Sequence, residues 1–175
     1  MSLPKGARLT KKKTPNMNID QSLRKHLLEL LDGGHAHATF DQVIKDLPAK
    51  YRGEIPQGLP HSAWMLLEHM RIAQWDILDF SRNAKYKHLK WPADYWPKSP
   101  APANAVEWEK SIQSFHEDID AMKKLVSDSK TDLFAKLPWG EGQTVLREAM
   151  LIADHNAHHL AQIIDVRRLL GIWKQ

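Results

Sequence analysis

Cysteine is missing from all 175 residues. That absence removes disulfides, thiolate metal ligands and any protein-borne thiol nucleophile together. Metal chemistry in this chain must therefore draw on histidine, aspartate and glutamate. Long apolar runs are missing too. No stretch approaches the roughly 20 residues that a bilayer span needs, and the lysine-rich N-terminus lacks the apolar segment of a secretory signal. The expectation is a cytoplasmic protein with no membrane association. A strand-like alternation of useful length appears nowhere. With 26% charged and 42% apolar residues and a mean hydropathy of -0.51, the chain falls among globular rather than disordered proteins. A basic surface is scarce as well. The net charge of +4 is carried by Lys5, Arg8, Lys11, Lys12 and Lys13, and the remaining chain is near -1 once those five cations are set aside. A nucleic-acid partner would call for a basic face on the folded domain, so none is expected.

What is present is helical periodicity. Residues 1–17 show none and read as a flexible basic arm; residues 18–175 read as one domain. A helix opens near Asn18, carries Leu23, Leu27, Leu30 and Leu31 on one face, and stops at Gly33-Gly34. Phe40, Val43, Ile44 and Leu47 mark a shorter amphipathic piece before Pro48, and residues 49–60 read as a loop. Ser62 to Asn83 forms the second long helix, on the stripe Ala63, Leu66, Met70, Ala73, Ile77 and Phe80.

A loop rich in tryptophan and proline follows from Lys90 to Ala103, and its pre-proline residues are pushed toward extended geometry. Asn104 and Glu107 have the spacing of a capping box for the third long helix, which carries Trp108, Ile112, Phe115, Ile119, Met122 and Val126. Thr144 caps the fourth, on the order of 27 residues and 40 Å long, which closes at Arg167, Arg168 and Gly171. The pattern predicts an all-α protein, a four-helix bundle with a long crossover loop between the second and third long helices.

Ten histidines are present. His26, His35, His37, His61, His88 and His116 fall on helix surfaces or in loops and read as ordinary. His155 and His159 differ, because residues four apart share one helix face and two imidazoles at that spacing can share one metal ion. His158 competes through its i, i+3 spacing to His155. The stripe Val145, Ala149, Ile152, Asn156, His159, Ile163, Val166 and Leu170 decides for His159, while His158 falls with Asp154, Asp165 and Arg168 on the polar side or in a supporting role. A third ligand must come from another helix, and His69, beside Leu66, Met70 and Ala73, is placed to supply it. Three imidazoles suit zinc, nickel, iron or copper better than magnesium or calcium, and leave a coordination position open.

The segment Leu59-Pro60-His61-Ser62-Ala63-Trp64 running into Leu67-Glu68-His69, together with Ala153-Asp154-His155-Asn156-Ala157-His158-His159-Leu160-Ala161-Gln162, resembles the DinB-like family. The Gln74-Trp75-Asp76 step, the Trp91-Pro92 to Trp96-Pro97 loop and the Arg167-Arg168 to Gly171 close extend the resemblance over roughly residues 19–173. It implies an antiparallel four-helix bundle, commonly a homodimer, with His69, His155 and His159 around a divalent metal, often nickel or zinc. The family often has Tyr where His158 stands and Gly where Ala161 stands, so helix contacts or the edge of the site differ here.

Some members of the wider superfamily are thiol transferases that use a low-molecular-weight thiol. A three-histidine metal with an open position can lower the pKa of a thiol that this cysteine-free chain cannot itself provide. Asp76 and Glu148 are candidate outer carboxylates. Metal-dependent hydrolysis of a small-molecule substrate and a non-catalytic, stress-associated metal-binding role are the alternative readings. The aromatic loop reads as a strap whose tryptophans seal one end of the bundle, with a lid or one wall of a substrate pocket as the other reading.

Overall fold

A computed structural model describes residues 18–173; the basic arm assigned to residues 1–17 lies outside the described residues. The protein is all-helical. The described residues form five α-helices, α1 (Ile19–Asp32), α2 (Phe40–Ile44), α3 (Ala63–Arg82), α4 (Ala105–Ser127) and α5 (Val145–Leu169), and no strand. The only ladder-like pairing found there is a single antiparallel bridge between Lys136 and Thr144.

The helix starts follow from side chains that accept the orphan N–H groups of a first turn. Asn18 and Gln21 form a reciprocal capping box on α1, as do Thr39 and Gln42 on α2, while Ser62 and Thr144 cap α3 and α5. On α4 the expected box is only half made. Asn104 accepts from the Glu107 N–H, but the Glu107 carboxylate reaches past Asn104 to the Ala103 N–H. At the far end of α1, Gly33 adopts φ 69°, a conformation that admits glycine without a Cβ penalty, and its N–H closes on the Glu29 and Leu30 carbonyls. The last helix has 25 residues, slightly fewer than its sequence pattern implies.

Packing divides the core into two large clusters. One gathers Phe40, Leu66, Met70, Trp108, Phe115 and Ile163 from α2 to α5. The other joins Leu27, Leu31, Leu78, Ile119, Met122 and Ile152 from α1, α3, α4 and α5. Each fully buried side chain of this kind contributes about 1.5–3 kcal/mol. Leu30, placed on the apolar face of α1 by periodicity, is instead 51% exposed, because Leu27 and Leu31 take the buried positions. Arg24 fastens α1 to the end of α4 by donating to the Val126, Asp128 and Thr131 carbonyls.

The tryptophan- and proline-rich segment is less extended than its prolines suggest. It contains a 3-10 turn at Ala93–Tyr95 and a cis peptide at Trp91-Pro92. Ser62 donates to the Pro100 carbonyl, so the residue that caps α3 also ties this strap to the start of α3. The strap is thereby held against the first half of α3, where His69 lies.

Candidate metal centre

His69 on α3 and His155 and His159 on α5 come together. One ring nitrogen from each lies within 4.8 Å of the others. His69 and His159 are buried and His155 is half-buried. No carboxylate belongs to the cluster. His155 Nε2 is 3.1 Å from His69 Nε2. Two nitrogens bound tetrahedrally to one zinc at its usual bond length would stand about 3.3 Å apart. The observed spacing fits a shared ion without rearrangement of that pair.

Outer hydrogen bonds select the donor atom. His69 Nδ1 lies 2.9 Å from the Tyr95 carbonyl, which can only accept, so Nδ1 carries the proton and Nε2 presents its lone pair. His159 Nδ1 lies 2.7 Å from Gln162 Oε1, and the amide nitrogen of Gln162 in turn donates to His158 Nε2 at 3.2 Å. Burial, reinforced by the neighbouring imidazoles, depresses His155 to about 3; burial likewise depresses His159 to about 4. Burial also lowers His69, against the raising effect of the Tyr95 carbonyl. At neutral pH all three rings are uncharged, the form in which imidazole binds a metal.

An aromatic wall closes one side. Trp96 lies flat on His69 with ring centroids 4.0 Å apart and 2° between planes, and its other face takes His61 at 4.1 Å. Trp91, 70% exposed, tilts toward His69 at 6.4 Å. Trp96 of the strap therefore covers one side of the histidine site. His61, which sequence pattern marks as ordinary, belongs to this wall.

The three outer residues named from sequence sit at different removes. Asp76 is buried and accepts from Tyr86 Oη at 2.8 Å and Tyr95 Oη at 2.6 Å. It reaches His69 only through Tyr95, whose carbonyl holds the His69 ring. Glu148, 2% exposed, pairs with Arg147 at 2.7 Å; burial raises its pKa, Arg147 opposes that, and the Asp76 charge adds to it. It lies two helical turns, about 10 Å, along α5 from His155 and makes no contact with the triad. His158 is exposed, lies edge-on to the His159 ring with centroids 4.8 Å apart, and accepts from Gln162.

Tyr95 and Gln162 have no site role in the sequence reading, and Trp96 enters it only as part of the aromatic loop. Gln162 had a readable signal, its i+3 spacing to His159 and i+4 spacing to His158. Tyr95 had none, because its contribution is a backbone carbonyl delivered by loop conformation.

The profile of the DinB superfamily matches residues 34–163, a span that contains all three histidines. The chain belongs to the DinB superfamily. No curated protein and no solved structure matches it. The match begins downstream of α1 and stops within α5, so it is narrower than the resemblance drawn over residues 19–173.

Among the described residues, no helix of this DinB-superfamily chain is long and apolar enough to cross a membrane.

Proposed function

We propose that the protein binds a divalent transition metal, nickel or zinc, through Nε2 of His69, His155 and His159, and activates a low-molecular-weight thiol there for transfer to an electrophile. The observation that carries the reading is the convergence of three neutral imidazoles, one ring nitrogen of each within 4.8 Å of the others. In this reading the domain is an antiparallel four-helix bundle. The heptad steps support that, since His69 faces His155 while Asp76, seven residues on, neighbours Glu148, seven residues back.

The bound metal would supply Lewis acidity to a thiol at its open position. The chain itself has no cysteine, so the nucleophile must enter from outside. Its own residues hold the site. Tyr95 and Gln162 fix the ring tautomers of His69 and His159, Trp96 shields one flank from water, and exposed Trp91 offers an apolar surface beside the entrance. With no carboxylate among the ligands, the metal keeps its full positive charge, which favours a thiolate over a neutral thiol.

Metal analysis of protein prepared without an affinity tag tests the first half of the reading. Near-stoichiometric nickel or zinc is expected, with His155→Ala losing at least 90% of it. The second half is tested with cobalt-substituted protein titrated with glutathione, bacillithiol and mycothiol. A change in the visible spectrum together with thioether formation from an aryl halide is expected. If metal is bound but every thiol leaves spectrum and turnover unchanged, the transfer reading falls and a non-catalytic metal protein or a hydrolase takes its place.

A further inference from the structure

Asn156 stands on the apolar stripe of α5, directly after the triad residue His155, and only 7% of it is exposed. A buried amide in such a stripe needs partners for both ends. The nitrogen end has one. Gln74, 1% exposed on α3, donates from Nε2 to the Phe115 carbonyl of α4 at 2.7 Å. A backbone carbonyl only accepts, so the orientation of the Gln74 amide is fixed and its Oε1 must face the other way. That oxygen accepts from Asn156 Nδ2 at 2.8 Å. The Asn156 amide is therefore fixed in turn, and its Oδ1 is left buried with no hydrogen-bond partner.

An orphan acceptor of this kind destabilises the fold unless something satisfies it. The neighbouring His155 ring has two places for its single proton. On Nε2 the proton is shared with His69 across 3.1 Å. On Nδ1 it is free to be accepted elsewhere, and Nε2 is released as a ligand.

We propose that Gln74 and Asn156 form an amide relay, anchored on the Phe115 carbonyl, in which Asn156 is the positioning residue of His155. Its Oδ1 takes the Nδ1 proton of His155 when Nε2 serves as a metal ligand. The relay completes a pattern, since His69 has the Tyr95 carbonyl and His159 has Gln162 for the same purpose. The inference rests on the metal-binding reading above and adds two residues to it, neither of which touches the ion.

The test combines zinc affinity, by competition with a chromophoric chelator, and nitrogen-15 spectra of the histidine rings in zinc-loaded protein. In the wild type, His155 should show a proton on Nδ1 and a metal-shifted Nε2. Asn156→Leu should bind zinc about 10- to 100-fold more weakly, with the Nδ1 proton no longer protected from exchange. Equal affinity in Asn156→Leu, or a wild-type His155 bound through Nδ1, overturns the relay and leaves metal binding intact. A wild type that binds no zinc overturns the metal reading itself and the relay with it. Should Asn156→Leu fail to fold, the wild-type ring spectrum decides alone.

Discussion

Two polar layers lie one heptad apart between α3 and α5, and they treat charge in opposite ways. The upper layer, His69, His155 and His159, contains no acid and is neutral at pH 7, with the outer nitrogens of His69 and His159 tied off and the inner nitrogens of His69 and His155 facing each other. The lower layer, Asp76 and Glu148, is acidic and closed. Two tyrosine hydroxyls complete Asp76, and an arginine covers Glu148. The same pair of helices thus builds a site that leaves lone pairs to give away and a support that has none. Asp76 connects the two, since the tyrosine it grips by the hydroxyl holds His69 by the carbonyl.

Removing the connection should have the largest effect on the fold. Asp76→Ala leaves two tyrosine hydroxyls without their charged acceptor, a loss of about 2–4 kcal/mol of unfolding free energy in urea titration. Zinc affinity should fall in parallel as Tyr95 loosens. Full stability in Asp76→Ala would show that the lower layer supports nothing.

Acid should separate the layers next. The depressed histidines bind protons more readily in the unfolded chain, so metal-free protein loses stability as pH falls from about 6.5 toward the folded values near 4 and 3. Over pH 7 to 5 a fall in Tm on the order of 5 °C is expected. His155→Ala should flatten that slope. Glu148 acts with the other sign, because its raised pKa makes the folded state the better proton binder just above the ordinary glutamate range.

The smallest effect belongs to Glu148→Gln. The amide keeps an acceptor for Arg147 and removes the repulsion with Asp76, so stability at pH 7 should change by less than about 1 kcal/mol, in the stabilising direction. A loss of several kcal/mol would mean that the lower layer relies on both of its charges.

Much of the fold was legible because caps and stripes are local. Asn18, Ser62 and Thr144 announce helix starts, and the steps of three and four through Met70, Phe115 and Ile163 announce the core. The HxxxH pair was legible for the same reason, since helical geometry fixes which side chains share a face, whereas His69, on another helix, was named as its partner from its place beside the α3 stripe together with the family resemblance. The aromatic loop was legible as a strap, a lid or a wall, but its contact with His69 and the outer acceptors were not. Trp96 reaches His69 through the conformation of a loop, and no residue pattern encodes where a backbone carbonyl will point. Asn156 is an intermediate case. Its place in an apolar stripe signals a buried amide with business to complete, but the partner, Gln74, lies 82 positions away and is chosen only by packing.

Trp96 makes the molecule its own indicator. An indole stacked 4.0 Å from one of the triad imidazoles shares its excited state with whatever that ring holds. Cobalt or nickel entering the triad should therefore darken its emission while zinc leaves it bright. Entry of an open-shell ion becomes readable by light from the unlabelled chain, with Trp96→Phe as the blank that isolates this signal from the other six tryptophans.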